Sequence, residues 1–167
     1  MESDIIDEVV RQWREARPDL DPSALAVVGR ILRLGGHLER RANLVLQEFE
    51  LPIGGFDVLG TLRRRGKPYA MTPTELMRST MLTSGAITNR IDRLERQGLV
   101  ERLPDPNDRR SLQVRLTRKG LKLVDATTGI RFEEANQAIA SLSATEVAKL
   151  ETLLRKMLRG LEPDAAS

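Results

Sequence analysis

The side chains best suited to reading a nucleic acid gather in the run Leu82-Thr-Ser-Gly-Ala-Ile-Thr-Asn-Arg-Ile-Asp-Arg-Leu-Glu-Arg-Gln-Gly98. Asn89 offers a donor and an acceptor together, the pair a base edge presents in the major groove, and Gly85 is bare enough for a helix to approach a duplex closely. Thr83, Ser84, Thr88 and Arg93 supply hydroxyls and a cation for neighbouring contacts. Further on, Asp108, Arg109 and Arg110 sit in the segment 104–111 between two apolar runs, where an arginine at a loop tip suits a narrow minor groove. A second set, Trp13, Asp57 and Arg90, suits a small anion. At 100° per residue Arg90 lies about 70° from the apolar centre of its helix, and an inward-leaning arginine calls for an anion or a carboxylate. A structural Asp57–Arg90 pair and a phosphate contact from Arg90 are the competing uses.

These residues need elements to hold them. Thr72, Pro73 and Glu75 form a capping box with proline at the first helical position, which starts a short helix ending near Thr80. A second helix, capped by Thr83 or Ser84, places Ile87, Ile91 and Leu94 on one face and Asn89 opposite, and stops at Gly98. Two short helices joined by a tight turn make a helix-turn-helix. Leu99 to Leu103 and Leu112 to Leu116 then predict a β-hairpin, because Leu112, Val114 and Leu116 alternate with Gln113 and Arg115 while the intervening prolines supply the turn. Residues 90–119 carry nine basic and five acidic side chains, so the local charge is +4 in a chain whose net charge is +3. An outward polar face alone is what any surface helix has; the basic hairpin behind it tips the reading toward duplex DNA.

The order Thr74-Glu-Leu, Thr88-Asn-Arg-Ile-Asp-Arg-Leu-Glu, Gly98-Leu-Val-Glu-Arg and Asp108-Arg-Arg-Ser-Leu-Gln-Val-Arg-Leu-Thr-Arg-Lys-Gly120 resembles the MarR family of bacterial transcriptional regulators, across about Leu20 to Leu161. The resemblance implies a wing arginine in the minor groove, Arg110 by position with Arg109 as the alternative, and an aspartate, Asp108, that steadies the loop. It also implies a homodimer joined through both termini. A urate-responsive subgroup of that family is similar too: its extra N-terminal helix with Trp, its Asp in the next conserved helix and its Ser-Asn-Arg match Trp13, Asp57 and Thr88-Asn-Arg90, with threonine in place of serine. In that subgroup the anion is held by Trp and Arg and displaces the Asp.

The flanks fit this plan. Asp4 to Arg17 predicts a first helix, and Asp21-Pro22 the start of a long one to about Phe49, with Leu25, Val28, Leu32, Leu38 and Val45 at helical spacing. Leu51 to Arg65 forms a shorter helix ended by Gly66, with Arg63, Arg64, Arg65 and Lys67 as a further basic cluster. After Thr117 the chain is helical to near Leu142, then Ser143 and Glu146 cap a last helix carrying Val147, Leu150, Leu154, Met157 and Leu161. The expected fold is therefore mainly α with a small β-hairpin wing. It is a single domain over 1–167, with a winged helix-turn-helix at 52–117 and dimerisation helices at 4–50 and 118–161.

Composition narrows the function. With no cysteine and one histidine, disulfides, zinc–thiolate sites and thiol redox sensing are excluded, and His37 reads as a packing or surface residue rather than a metal ligand. No cofactor is expected. No apolar run approaches the roughly 18 residues of a membrane span, and the acidic Met1-Glu-Ser-Asp start is unlike a signal, so the expected location is cytoplasmic. No nucleophile motif, phosphate-binding glycine loop or acid–base pair points to an enzyme. The expectation is a homodimeric DNA-binding regulator, a repressor released from a pseudo-palindromic operator by a urate-like, aromatic or carboxylate anion. The alternatives are a winged helix without an effector and a protein-interaction module.

Overall fold

The computed structural model describes residues 3–80, 87–105 and 111–162. In chain order these form α1 (Ile5–Ala16), α2 (Leu25–Leu46), α3 (Ile53–Arg65), β1 (Ala70–Met71), α4 (Pro73–Ser79), α5 (Ile87–Arg96), β2 (Val100–Pro104), β3 (Leu112–Leu116), α6 (Arg118–Ala138) and α7 (Ala144–Leu161). The mainly helical architecture with a small sheet agrees with the sequence reading, and the sheet supplies the wing.

Local chemistry sets most boundaries. Asp4 caps α1, Thr72 caps α4 and Ser143 caps α7, each in a reciprocal box with the residue three positions on. Asp21 does not cap α2, although the sequence suggested it. Its carboxylate accepts from the backbone N and hydroxyl of Ser23, closing a local turn, and the regular helix begins at Leu25 with no side-chain cap. α6 also stops short of Leu142: Ile139 and Ala140 donate to Asn136 and Gln137, three-residue bonds that tighten the last turn and end the helix.

The core is built around α3, in which every residue from Gly55 to Leu62 is buried. Onto it pack the end of α2, the buried faces of α4 and α5, the inner face of the sheet and Val124 of α6. The sheet order is β1-β3-β2, all antiparallel, so β3 is central. This places Val114 and Leu116 in the core, while Leu112, toward the tip, is half exposed. β1 was not foreseen.

Two contacts tie the outer helices to this core. Arg30 of α2 forks onto Asp4, the N-cap of α1, and Asp7 within it, and Ile6 packs on Gly29. Glu134 of α6, 5% exposed, accepts from Arg41 of α2 at 2.8 Å and from Arg131. Burial pushes the Glu134 carboxyl upward, but the two guanidiniums outweigh it and hold its pKa below the ordinary value. By contrast α7 has no buried residue, and Leu150, Leu154 and Met157 are exposed on it, as are Leu32 and Leu34 on α2.

Candidate DNA interface and anion cavity

α5 presents four sides. Ile87, Ile91 and Leu94 face the core, and Thr88 and Asn89 are exposed, as the helical spacing required. Arg90 and Gln97, half buried, turn toward α2 and the start of α3. Asp92 and Glu95 turn toward the wing, where Arg102 of β2 bonds both, Asp92 at 2.5 Å. The Asp92 carboxylate beside it, with Glu95, raises the Arg102 pKa above its ordinary value. Thr83, Ser84, Gly85, Asp108, Arg109 and Arg110, all assigned to DNA from sequence, lie outside the described residues.

The base of the wing is tied by a cross-strand ion pair. Glu101 and Arg115 face each other across β2 and β3, with the guanidinium 2.9–3.0 Å from the carboxylate. The far end of α5 is anchored by α6: Lys119 Nζ donates to the Gln97 carbonyl at 2.8 Å, and the Thr117 hydroxyl to that of Gly98. The basic cluster closing α3 is partly engaged internally. Arg63 pairs with Asp125 at 2.7 Å and stacks on Tyr69, Arg64 donates to Thr61, and Arg65 stands 3.7 Å from Glu75.

A cavity of about 360 Å³ opens beside Arg90, walled by Glu39 and Asn43 of α2, Gly54 of α3, Arg90 and Arg93 of α5, and Gln97 just beyond it. It adjoins a wider cleft of about 700 Å³ that shares Asn43, Arg93 and Gln97 and adds Arg40. Arg90 lies over Gly54 so closely that a Cβ there would stand 2.7 Å from its Nε. Its Nη1 is buried with no hydrogen-bond partner among the described residues. A buried donor left without an acceptor costs free energy that an acceptor brought to it would recover. Asn43 Oδ1 meanwhile accepts from Ile53 N at 2.8 Å, capping α3 from another helix.

Of the residues selected from sequence for a ligand, Arg90 alone is among the described residues that line this cavity. Arg90 lines the cavity; Thr88 is exposed on the outer face, Asp57 is 1% exposed inside α3, and Trp13 is half exposed on α1, none of them on the cavity wall. Arg93, assigned to DNA, is exposed but borders both cavities. Glu39, Asn43, Gly54 and Gln97 carried no sequence signal, since only the packing of α2 and α5 against α3 makes them neighbours. Among the described residues, no group of three or more His, Asp and Glu side chains could hold a metal ion, and no helix is long and apolar enough to cross a membrane.

Comparison with known proteins places this geometry. The MarR family's sequence profile matches residues 51–111, the segment from α3 to the end of the wing loop. The chain is 34% identical over 156 residues to the HTH-type transcriptional regulator PecS of Dickeya dadantii (strain 3937), covering 93% of this chain and 94% of that protein. Among solved structures, a mutant MarR from E. coli complexed with operator DNA is similar with a TM-score of 0.71 and 30% identity, over 93% of this chain and 99% of that one. Bordetella bronchiseptica BpsR, solved to explain regulation of its DNA binding by 6-hydroxynicotinic acid, is similar with a TM-score of 0.71 and 25% identity, over 78% and 91%. The exposed Thr88–Asn89 face, the hairpin wing and these likenesses agree: the chain belongs to the MarR family of winged-helix, DNA-binding transcriptional regulators.

Proposed function

We propose that the protein works as a homodimeric repressor that leaves a pseudo-palindromic operator when a small anion enters the cavity beside Arg90. The observation that carries this reading is the buried, unpartnered Arg90 Nη1 on the same helix as the exposed Thr88 and Asn89. One rigid helix then holds both the ligand and the reading face, so a shift that suits the anion moves Asn89 in its groove, with a coupling of typically about 1–3 kcal/mol. In this scheme Asn89 and Thr88 read the major groove, Thr83, Ser84 and Gly85 abut the backbone, and Arg109 or Arg110, steadied by Asp108, enters the minor groove.

Arg90 and Arg93 hold the anion directly. Asp57 is buried one helix behind, and Trp13 stands half exposed on α1. A planar aromatic anion, urate or a pyridine or benzene carboxylate, suits the volume and the cationic wall, and BpsR is regulated by a compound of that class. A second copy of the chain is supported by α7, which buries nothing within one protomer, and two copies present two recognition helices to two half-sites.

The test is DNA binding to the region upstream of the protein's own reading frame, with and without urate, xanthine, salicylate and 6-hydroxynicotinate. Release is expected from at least one of them. Gly54→Ala should abolish the response and leave DNA affinity intact, because its Cβ would drive the Arg90 guanidinium out of place without touching Asn89. DNA binding that none of these anions alters would favour a winged-helix regulator without a small-molecule effector.

A further inference from the structure

Arg102 occupies a position where the fold calls for an apolar side chain. In the β2–β3 ladder it stands opposite Val114, and directly opposed residues share a sheet face. Val114 is fully buried, and Val100, two residues before Arg102 on the same face, is also in the core. Arg102 therefore projects from the inner face of the wing, and it ends on Asp92 and Glu95, one helical turn apart on α5. Two carboxylates on the flank of a helix that must approach DNA phosphates oppose binding by like-charge repulsion. A single arginine fork that neutralises both, and joins α5 to β2 in doing so, gives them a use.

We infer that Arg102 is a positioning residue that locks the wing to the recognition helix, so that the two enter the major and minor grooves in one fixed relation. Its planar fork is what permits this, since lysine brings one point charge and cannot span two carboxylates. The neighbouring Glu101–Arg115 pair holds β2 to β3, which extends the lock from α5 across the whole hairpin. The wing's contribution to affinity then depends on Arg102 even if Arg102 touches no DNA.

The experiment compares wild type, Arg102→Ala, Arg102→Lys and Asp92→Asn/Glu95→Gln, each alone and combined with the wing-tip variant Arg109→Ala/Arg110→Ala. Binding is measured on the duplex that the wild-type protein selects from a random-sequence pool, and thermal melting checks folding. Removing two negative charges beside DNA raises affinity if charge alone matters; loss of the lock lowers it. We expect Asp92→Asn/Glu95→Gln and Arg102→Ala each to weaken binding about tenfold, with Arg102→Lys intermediate, and the wing-tip substitution to cost little more in either background. Equal or tighter binding by Asp92→Asn/Glu95→Gln, or a wing-tip loss that adds in full to that of Arg102→Ala, overturns the inference. If Arg102→Ala melts far below wild type, the sign of the effect in Asp92→Asn/Glu95→Gln, which keeps side-chain shape and volume, decides.

Discussion

Adjacent residues on α5 meet different surroundings because one helical step turns the side chain by 100°. Asn89 is exposed on the outer face, whereas Arg90 leans over Gly54 into the cavity with its Nη1 buried. Asn89→Ala should therefore cost about 1–3 kcal/mol on the preferred operator and flatten the preference at one base pair, as read from binding to a set of singly substituted duplexes. An unchanged preference profile would show that Asn89 does not read a base. Arg90 should behave differently: its loss removes the anion response at every operator sequence alike.

Among the elements, the join between α6 and the recognition helix leaves the least room. At Gly120 a Cβ would stand 2.0 Å from the Leu99 carbonyl oxygen, a backbone atom that cannot swing aside as a side-chain tip can. The same join carries the Lys119 and Thr117 bonds to the carbonyls that end α5. Gly120→Ala should destabilise the fold by about 2–4 kcal/mol, measured by urea unfolding, by forcing α6 off the base of the wing. A melt within a degree of wild type would mean that α6 can slide. Gly54→Ala should show the opposite balance, a near-normal melt with a lost response, because the displaced neighbour is a flexible arginine.

On the scale of the whole molecule, α7 buries no side chain and α2 leaves Leu32, Leu34 and Leu44 more than half exposed among the described residues. Leu154→Glu should lower the solution mass or cause precipitation, since a desolvated carboxylate in a helix interface costs several kcal/mol, about 3–5 when unpaired. A wild-type protein that sediments as a monomer at micromolar concentration defeats the dimer. The Arg41–Glu134–Arg131 link between α2 and α6 adds a pH dependence. Because its folded-state pKa is lowered, Glu134 contributes stability that is fully present above the ordinary carboxylate pKa and is lost as pH falls toward the folded value. Glu134→Gln should thus cost about 1–3 kcal/mol near neutral pH, discounted for the half-exposed Arg41, and the gap to wild type should close on acidification. A gap that stays constant with pH would assign the loss to packing.

What could be read from residue order alone was most of what repeats or closes locally, the Asp21 turn and the end of α6 excepted. The capping boxes at Thr72 and Ser143, the Ile87–Ile91–Leu94 stripe, the outward Asn89, and Val114 and Leu116 facing the core of the wing all depend on spacings of two to four residues, and those spacings are set by backbone geometry. Arg90's inward lean was legible for the same reason. The two residues of β1 are too few to show a period, and they became a strand only because β3 offered them a partner. Only the tertiary structure decided which distant faces meet: Glu39, Asn43 and Gly54 come to Arg90 from segments more than 30 residues away, while Trp13 and Asp57, equally plausible by type, stay off the cavity wall. The Arg102 lock was hidden for the same cause, since an arginine in an alternating strand reads as solvent-facing until the fold shows that its side of the sheet looks onto two carboxylates of α5.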